Sequence, residues 1–181
     1  LWFDAHGDMN LPDTSPSGNI HGMPLAHLIG RGDDELASIG GFKGKIKPEN
    51  VALIGVRDID KNERNIIRES GIHIYTMRDI DERGMAGVAK EALEVMNAGT
   101  AGFHLSFDVD GLDPSVAPGS GTLVAGGVSF REAHLLLEHC ADSGTMVSME
   151  VVELNPVIDN GNETAERVIQ LIQSAFGLAI L

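Results

Sequence analysis

The chain predicts an α/β layered fold with a mainly parallel sheet, on three observations. Short apolar runs alternate with helical stretches, several of those runs are apolar at every position, and polar residues gather just past their ends. Open α/β sheets bind ligands in the crevice outside the carboxyl ends of their strands, so those polar residues are the first place to look for chemistry. The 181 residues, 43% hydrophobic and 22% charged, suit one globular domain with a sizeable core. No internal repeat or interdomain linker divides them.

The first strand opens at Trp2 in "WFDAHGDMN". "LPDTSPSGNIHG" scatters Pro, Ser and Gly without an apolar period and reads as an irregular loop, followed by a short helix over Met23 to Ile29. "VALIGV", Val51 to Val56, reads as a strand buried on both faces. Lys61 to Ser70 reads as a helix stopped near Gly71, and "IHIYT" as a short strand. "GMAGVAKEALEVMNAG" sets Val88, Ala92, Val95 and Met96 near helical spacing, with Gly99 as its stop. "GFHLSFDVD" is a further strand leading into a Gly- and Pro-rich loop from Gly111 to Gly127. Ser129 and Glu132 form a capping-box pattern ahead of "FREAHLLLEHCAD", a helix that Gly144 ends. "TMVSMEVVEL" reads as another buried strand, and Asn162 as the cap of a closing helix through Phe176.

Composition excludes several classes of function. With 27 acidic against 13 basic residues, a formal charge of -14 and no basic run, a nucleic-acid partner is disfavoured, because phosphate binding draws on clustered Lys and Arg. The apolar runs are too short to span a bilayer and no leader pattern is present, so no membrane partner is expected and a cytoplasmic location is. The single cysteine, Cys140, excludes an internal disulfide framework and a Cys-rich zinc site; it is expected to be a buried thiol in a reducing compartment. Because the chain begins at Leu1 without Met and is within a strand pattern by Trp2, it is expected to be a fragment or processed piece.

The informative residues are Asp4, His6 and Asp8, spaced every second position, where strand alternation would send their side chains to one side. Asp108 and Asp110 repeat that spacing at the end of another apolar strand. A solvated strand end or a helix cap accounts for one such pair, but the two together favour a shared site. Four carboxylates so close would raise one another's pKa unless cations sat among them, and two divalent ions carry about +4, enough to cancel them. Oxygen-rich ligands with an imidazole suit manganese, with zinc and iron still open.

"DAHGD", "SGNIHG", "SFDVDGLDP", "GGVSFRE" and "VVELNP" resemble, in order along nearly the whole chain, the motifs of the ureohydrolase family, its arginase branch in particular. The resemblance implies a three-layer α/β/α sandwich of the arginase/deacetylase kind, with residues 1–181 forming a single ureohydrolase domain that lacks its first strands. It implies binuclear-manganese hydrolysis of L-arginine to L-ornithine and urea by a metal-bridging hydroxide. Asp4 and Asp108 would bridge the two ions, Asp8 would bind the first, and His6 and Asp110 the second. A sixth ligand, a histidine, is expected upstream of Leu1. Asp8 would also hydrogen-bond the nucleophile, His21 would shuttle the proton and Glu153 would orient the guanidinium. Asn10, Ser17 and Asn19 match positions that recognise the α-carboxylate, Asp60 and Glu63 the α-amino group, and Thr122 a hydroxyl near the guanidinium. A homo-oligomer, trimer or hexamer, is implied as well. The chain departs from the arginase pattern at Leu123, where Pro is usual, and in the loop "NLPDTSPSGN", which is usually rich in threonine. Two alternatives stay open: an agmatinase or other guanidino-compound ureohydrolase, and a non-catalytic metal-binding or assembly subunit. His104 shares the strand face of Asp108 by spacing and is expected to be a satisfied core histidine.

Overall fold

A computed structural model describes residues 1–179. Five parallel strands lie in the order β3-β2-β1-β4-β5: β1 is Trp2–Phe3, β2 Ala52–Val56, β3 His73–Thr76, β4 Phe103–Asp108 and β5 Met146–Val152. The chain steps outward from β1 through β2 to β3, then returns to place β4 on the other side of β1. The strand order therefore reverses between β1 and β4, and a crevice opens at their carboxyl ends. Among the described residues six helices connect and cover the strands: α1 Pro24–Leu28, α2 Asp34–Ala37, α3 Lys61–Ser70, α4 Met77–Met96, α5 Phe130–Asp142 and α6 Glu163–Ala175.

Strand alternation sorts the core into two sides, giving the three layers expected. Phe3, Ile54, Leu105 and Phe107 pack with Val88 and Ala92 of α4, Leu136 of α5 and Leu171 of α6. Trp2 and Leu53 point the other way, toward Leu25 of α1 and Ile67 of α3. Val56 joins this second side although Ile54 belongs to the first, because the β2–β3 register shifts at Gly55, which takes φ 97°. One irregular residue has reversed the parity of the strand end.

The capping box at Ser129 forms as expected: the Ser129 amide donates to Glu132 Oε2 at 2.9 Å, and the Glu132 amide donates to Ser129 Oγ at 3.3 Å. Four expectations need correction. Helix α4 starts at Met77, capped by Thr76, and Gly84 is a kink within it (φ 72°, ψ 154°) rather than its beginning. Helix α2, capped by the Asp33 carboxylate on the amides of Glu35 and Leu36, was not expected at all. Strand β5 is half exposed, with Val147 at 70% exposure, since among the described residues it pairs with β4 alone. Asn162 sits at the start of α6 in a left-handed conformation and makes no capping bond; Asp159 caps instead, accepting from the amides of Thr164 and Ala165.

No helix among the described residues is long and apolar enough to cross a membrane. Cys140 is buried and free, and burial pushes its thiol up to about 12.

Candidate metal centre and active site

Strand β1 ends at Phe3, so strand alternation is not what brings Asp4, His6 and Asp8 together. Asp4 folds its own backbone instead: Oδ1 accepts the amide of His6, two residues on, at 2.7 Å. Asp108, the last residue of β4, does the same for Asp110 at 2.8 Å, and Asp110 lies in the 3-10 turn Val109–Gly111. Both motifs are thus Asp-x-X turns in which a side chain takes the place of a backbone acceptor. The two turns are then tied to each other, because Asp110 Oδ1 accepts the amide of Ala5 at 3.3 Å. Beneath them Phe3 and Phe107 stack at 4.5 Å, fastening β1 to β4 where both turns begin.

His6 Nδ1 lies 3.3 Å from Asp4 Oδ1 and 3.2 Å from Asp110 Oδ2. Asp4, His6 and Asp110 each offer a ligand atom, all within 4.8 Å of one another. The carboxylates are 1% exposed at Asp4, 8% at Asp8, 5% at Asp108 and 1% at Asp110. Burial raises Asp4, and raises Asp8 well above the ordinary range, with the charge of Asp4 adding to it. Burial and then the charges of Asp4 and Asp110 push Asp108 up to about 10. Burial works against a charge on Asp110 as well, but the hydrogen bond and charge of His6 and the Thr122 hydroxyl outweigh it and hold Asp110 low. Burial alone would also depress His6; its hydrogen bonds to Asp110 and Asp4 instead bring it to about 11. Protons therefore compensate the cluster, and divalent cations accepting the imidazole lone pair and carboxylate oxygens would compensate it in their place. Oxygen donors with one imidazole, desolvated and convergent, fit a hard or borderline divalent ion.

All the other predicted site residues open onto one cleft beside this cluster. His6, Asp8, Asn10, Ser17, Asn19, His21, Asp60, Glu63, Asp108, Asp110, Thr122 and Glu153 line it, while Asp4 sits behind, its Oδ2 accepting the Trp2 indole N–H at 3.1 Å. Asn10 Nδ2 donates to Asp60 Oδ2 at 3.0 Å, which joins the loop after β1 to the start of α3. The Glu63 carboxylate is spent on backbone, accepting the amides of Met9 at 2.9 Å and Asp60 at 3.3 Å, and burial raises its pKa. His21 is exposed on the 3-10 turn Ile20–Gly22. Thr122 donates its hydroxyl to Asp110 Oδ2 at 2.7 Å.

Ser15 and Asp58 also line the cleft and escaped the sequence reading. Asp58 stands two before Asp60 in "RDID", the same every-second-residue spacing that marked the other acids, and that signal was available. Nothing local marked Ser15. His104 does lie on the Asp108 face, but it is exposed, not buried; its Nδ1 pairs with Ser148 Oγ at 2.8 Å across the β4–β5 edge.

The fold and the site define a parallel α/β protein with a buried carboxylate–imidazole cluster at its switch point that could hold a divalent cation. Residues 1–177 match the Arginase family, and the chain belongs to it. The arginase of Bacillus subtilis strain 168 is 50% identical over 181 residues, which cover 100% of this chain and 61% of that protein. The arginase of Bacillus caldovelox, solved in its native state at pH 5.6, superposes with a TM-score of 0.97 at 52% identity, over 99% of this chain and 60% of that one. The Entamoeba histolytica arginase in complex with L-ornithine does so with a TM-score of 0.90 at 39% identity, over 98% and 59%. The chain therefore spans about 60% of the length of the curated relatives it matches.

Proposed function

We propose that the full-length protein is an arginase, hydrolysing L-arginine to L-ornithine and urea at a centre for two manganese ions. The observation that carries this reading is the charge of the cleft. Two divalent ions would cancel the ligand carboxylates, but Asp58, Asp60 and Glu153 line the cleft beyond them together with neutral Asn10, Ser17 and Asn19, and among the described residues no Lys or Arg does. Such a surface favours a ligand cationic at both ends and leaves only neutral donors for a carboxylate. Arginine, with a guanidinium, an ammonium and a carboxylate, has that pattern. The similarity to arginases supports the same choice, one of them solved with L-ornithine.

Asp4, His6, Asp8, Asp108 and Asp110 would hold the ions, with the sixth ligand, a histidine, sought elsewhere in the full-length protein. When bound, the metals would lower the pKa of a shared water and supply a nucleophile near neutral pH. The chain's own groups do the rest. Glu153 accepts guanidinium N–H bonds and turns the reacting carbon toward the cluster. Asp8 accepts a hydrogen bond from the nucleophile and so orients its attack. His21 delivers a proton to the departing amine, as a general acid must when the C–N bond breaks. Asp60, braced by Asn10, pairs with the α-ammonium.

Urea release from L-arginine and from agmatine, with manganese counted per chain, tests this. Two ions, strong turnover of arginine and little of agmatine are expected. Preference for agmatine would overturn the substrate, and at most one ion with no urea would favour a non-catalytic metal-binding subunit. Assembly as a trimer or hexamer and a cytoplasmic location belong to the same proposal; light scattering on the eluting protein checks the first.

A further inference from the structure

Arg57 follows β2 and is half-buried directly beneath the metal-ligand turn. Its acceptors are all main-chain carbonyls. Nη2 donates to Asp110 at 2.7 Å, Leu112 at 3.1 Å and Val124 at 2.7 Å. Nη1 reaches Gly55 at 3.2 Å and Gly111 at 3.1 Å, and Nε donates to Val124 at 3.2 Å. One guanidinium thus holds the end of β2, the 110–112 turn and the 122–124 loop at once. Asp110 is gripped from both sides, because Arg57 holds its carbonyl while Thr122, in the loop that Arg57 also holds, donates to its Oδ2 at 2.7 Å.

The surrounding backbone is shaped to admit this side chain. A Cβ on Gly127 would come within 2.6 Å of Arg57 Nη2 and, equally, of the main chain at Leu112 and Asp113, so a glycine is required where the guanidinium and the turn meet. The carbonyl of Gly55 is turned toward Nη1 at the β2 irregularity, where φ is 97°. A lysine has three N–H bonds to give and cannot serve five carbonyls in a plane.

We propose that Arg57 is a positioning residue for the metal centre. It locks the 110–112 turn to the 122–124 loop and so aims the Asp110 carboxylate at the ion it would share with His6. This rests on the reading of Asp110 and His6 as metal ligands. Outer groups that orient a ligand typically change metal affinity by about 10–100-fold when removed, and that is the size of effect expected here.

The test uses the full-length protein, stripped of metal and titrated with manganese by calorimetry, with melting curves alongside. In Arg57→Lys one ion should bind as in the wild type and the other about 10–100-fold more weakly, with KM for L-arginine unchanged at saturating manganese. Thr122→Val, which cuts the second hold on Asp110, should weaken the same ion by a smaller factor. Wild-type affinity for both ions in a folded Arg57→Lys protein overturns the proposal, even if its melting temperature falls, since that marks a role in folding alone. Should Arg57→Lys not fold, unchanged affinity in Thr122→Val overturns it. A wild type that binds two ions yet releases no urea overturns the arginase reading instead, and the affinities then decide Arg57 by themselves. A wild type that binds no manganese overturns both.

Discussion

Three non-glycine residues among those described take a positive φ, and two of them, Asp8 (φ 52°) and Glu153 (φ 61°), line the cleft. Such conformations cost about 1–3 kcal/mol each and persist only where the surroundings demand them. Glu153 is exposed just past β5, and the proposed contact with the guanidinium would account for the conformation it takes. Asn accepts the left-handed region more readily than Glu. Glu153→Asn is therefore expected to keep or raise the melting temperature, by up to about 4 °C for about 1 kcal/mol of strain relieved, while urea release collapses. A fall in melting temperature would show that the carboxylate serves structure. Asn10 permits a second test. Asn10→Ala removes one proposed contact to the α-carboxylate, worth about 1.5–3 kcal/mol for a bond to a charged group, or about 10–100-fold in kcat/KM for arginine. Agmatine turnover should change far less. Equal losses on the two substrates would mean that Asn10 acts only by bracing Asp60.

At the scale of elements, two strands and the turns that follow them carry the proposed metal centre. Phe3 and Phe107 are fully buried and stacked, so they set the spacing of the two Asp-x-X turns as well as filling the core. Phe107→Ala should lower the unfolding free energy by about 3–5 kcal/mol in denaturant titrations, and should weaken manganese binding in whatever fraction stays folded. Intact affinity there would mean that the turns hold their shape without the stack. The strands themselves were legible in the sequence, since "VALIGV" and "GFHLSFDVD" are apolar runs with few other readings. The gathering of Asp4, His6 and Asp110 into one group that could hold an ion was legible too, but for a partly mistaken reason. Period-two spacing pointed to a strand face, whereas the residues converge through side-chain-to-backbone turns past the strand ends. What stayed hidden lacked a local pattern. The segment before Gly84, Met77 to Arg83, has too few apolar residues to show a helical period, so only the part of α4 past the glycine was readable.

For the whole molecule, the buried charge of the centre makes stability depend on metal and pH together. Without metal, Asp108 has a folded pKa of about 10 against an ordinary 3.8, and His6 about 11 against 6.5. Both values are raised, so each group's contribution is complete below its ordinary pKa and is lost as pH climbs through the folded value. The window runs from about 4 to 10 for Asp108 and from about 6.5 to 11 for His6. Metal-free protein should therefore lose stability steadily as pH rises across neutrality. Manganese acts oppositely, because it displaces those protons and binds more tightly as fewer remain to be displaced. A ligand present at 1,000 times its Kd stabilises by about 4 kcal/mol. At about 2–4 °C per kcal/mol for a domain of this size, chelation should lower the melting temperature by about 8–16 °C at pH 8 and by clearly less at pH 5. The measurement is a pair of melting series, with chelator and with saturating manganese, from pH 5 to 9. A gap that narrows toward alkaline pH would be opposite in sign to proton displacement, and would place the manganese on groups other than this buried cluster.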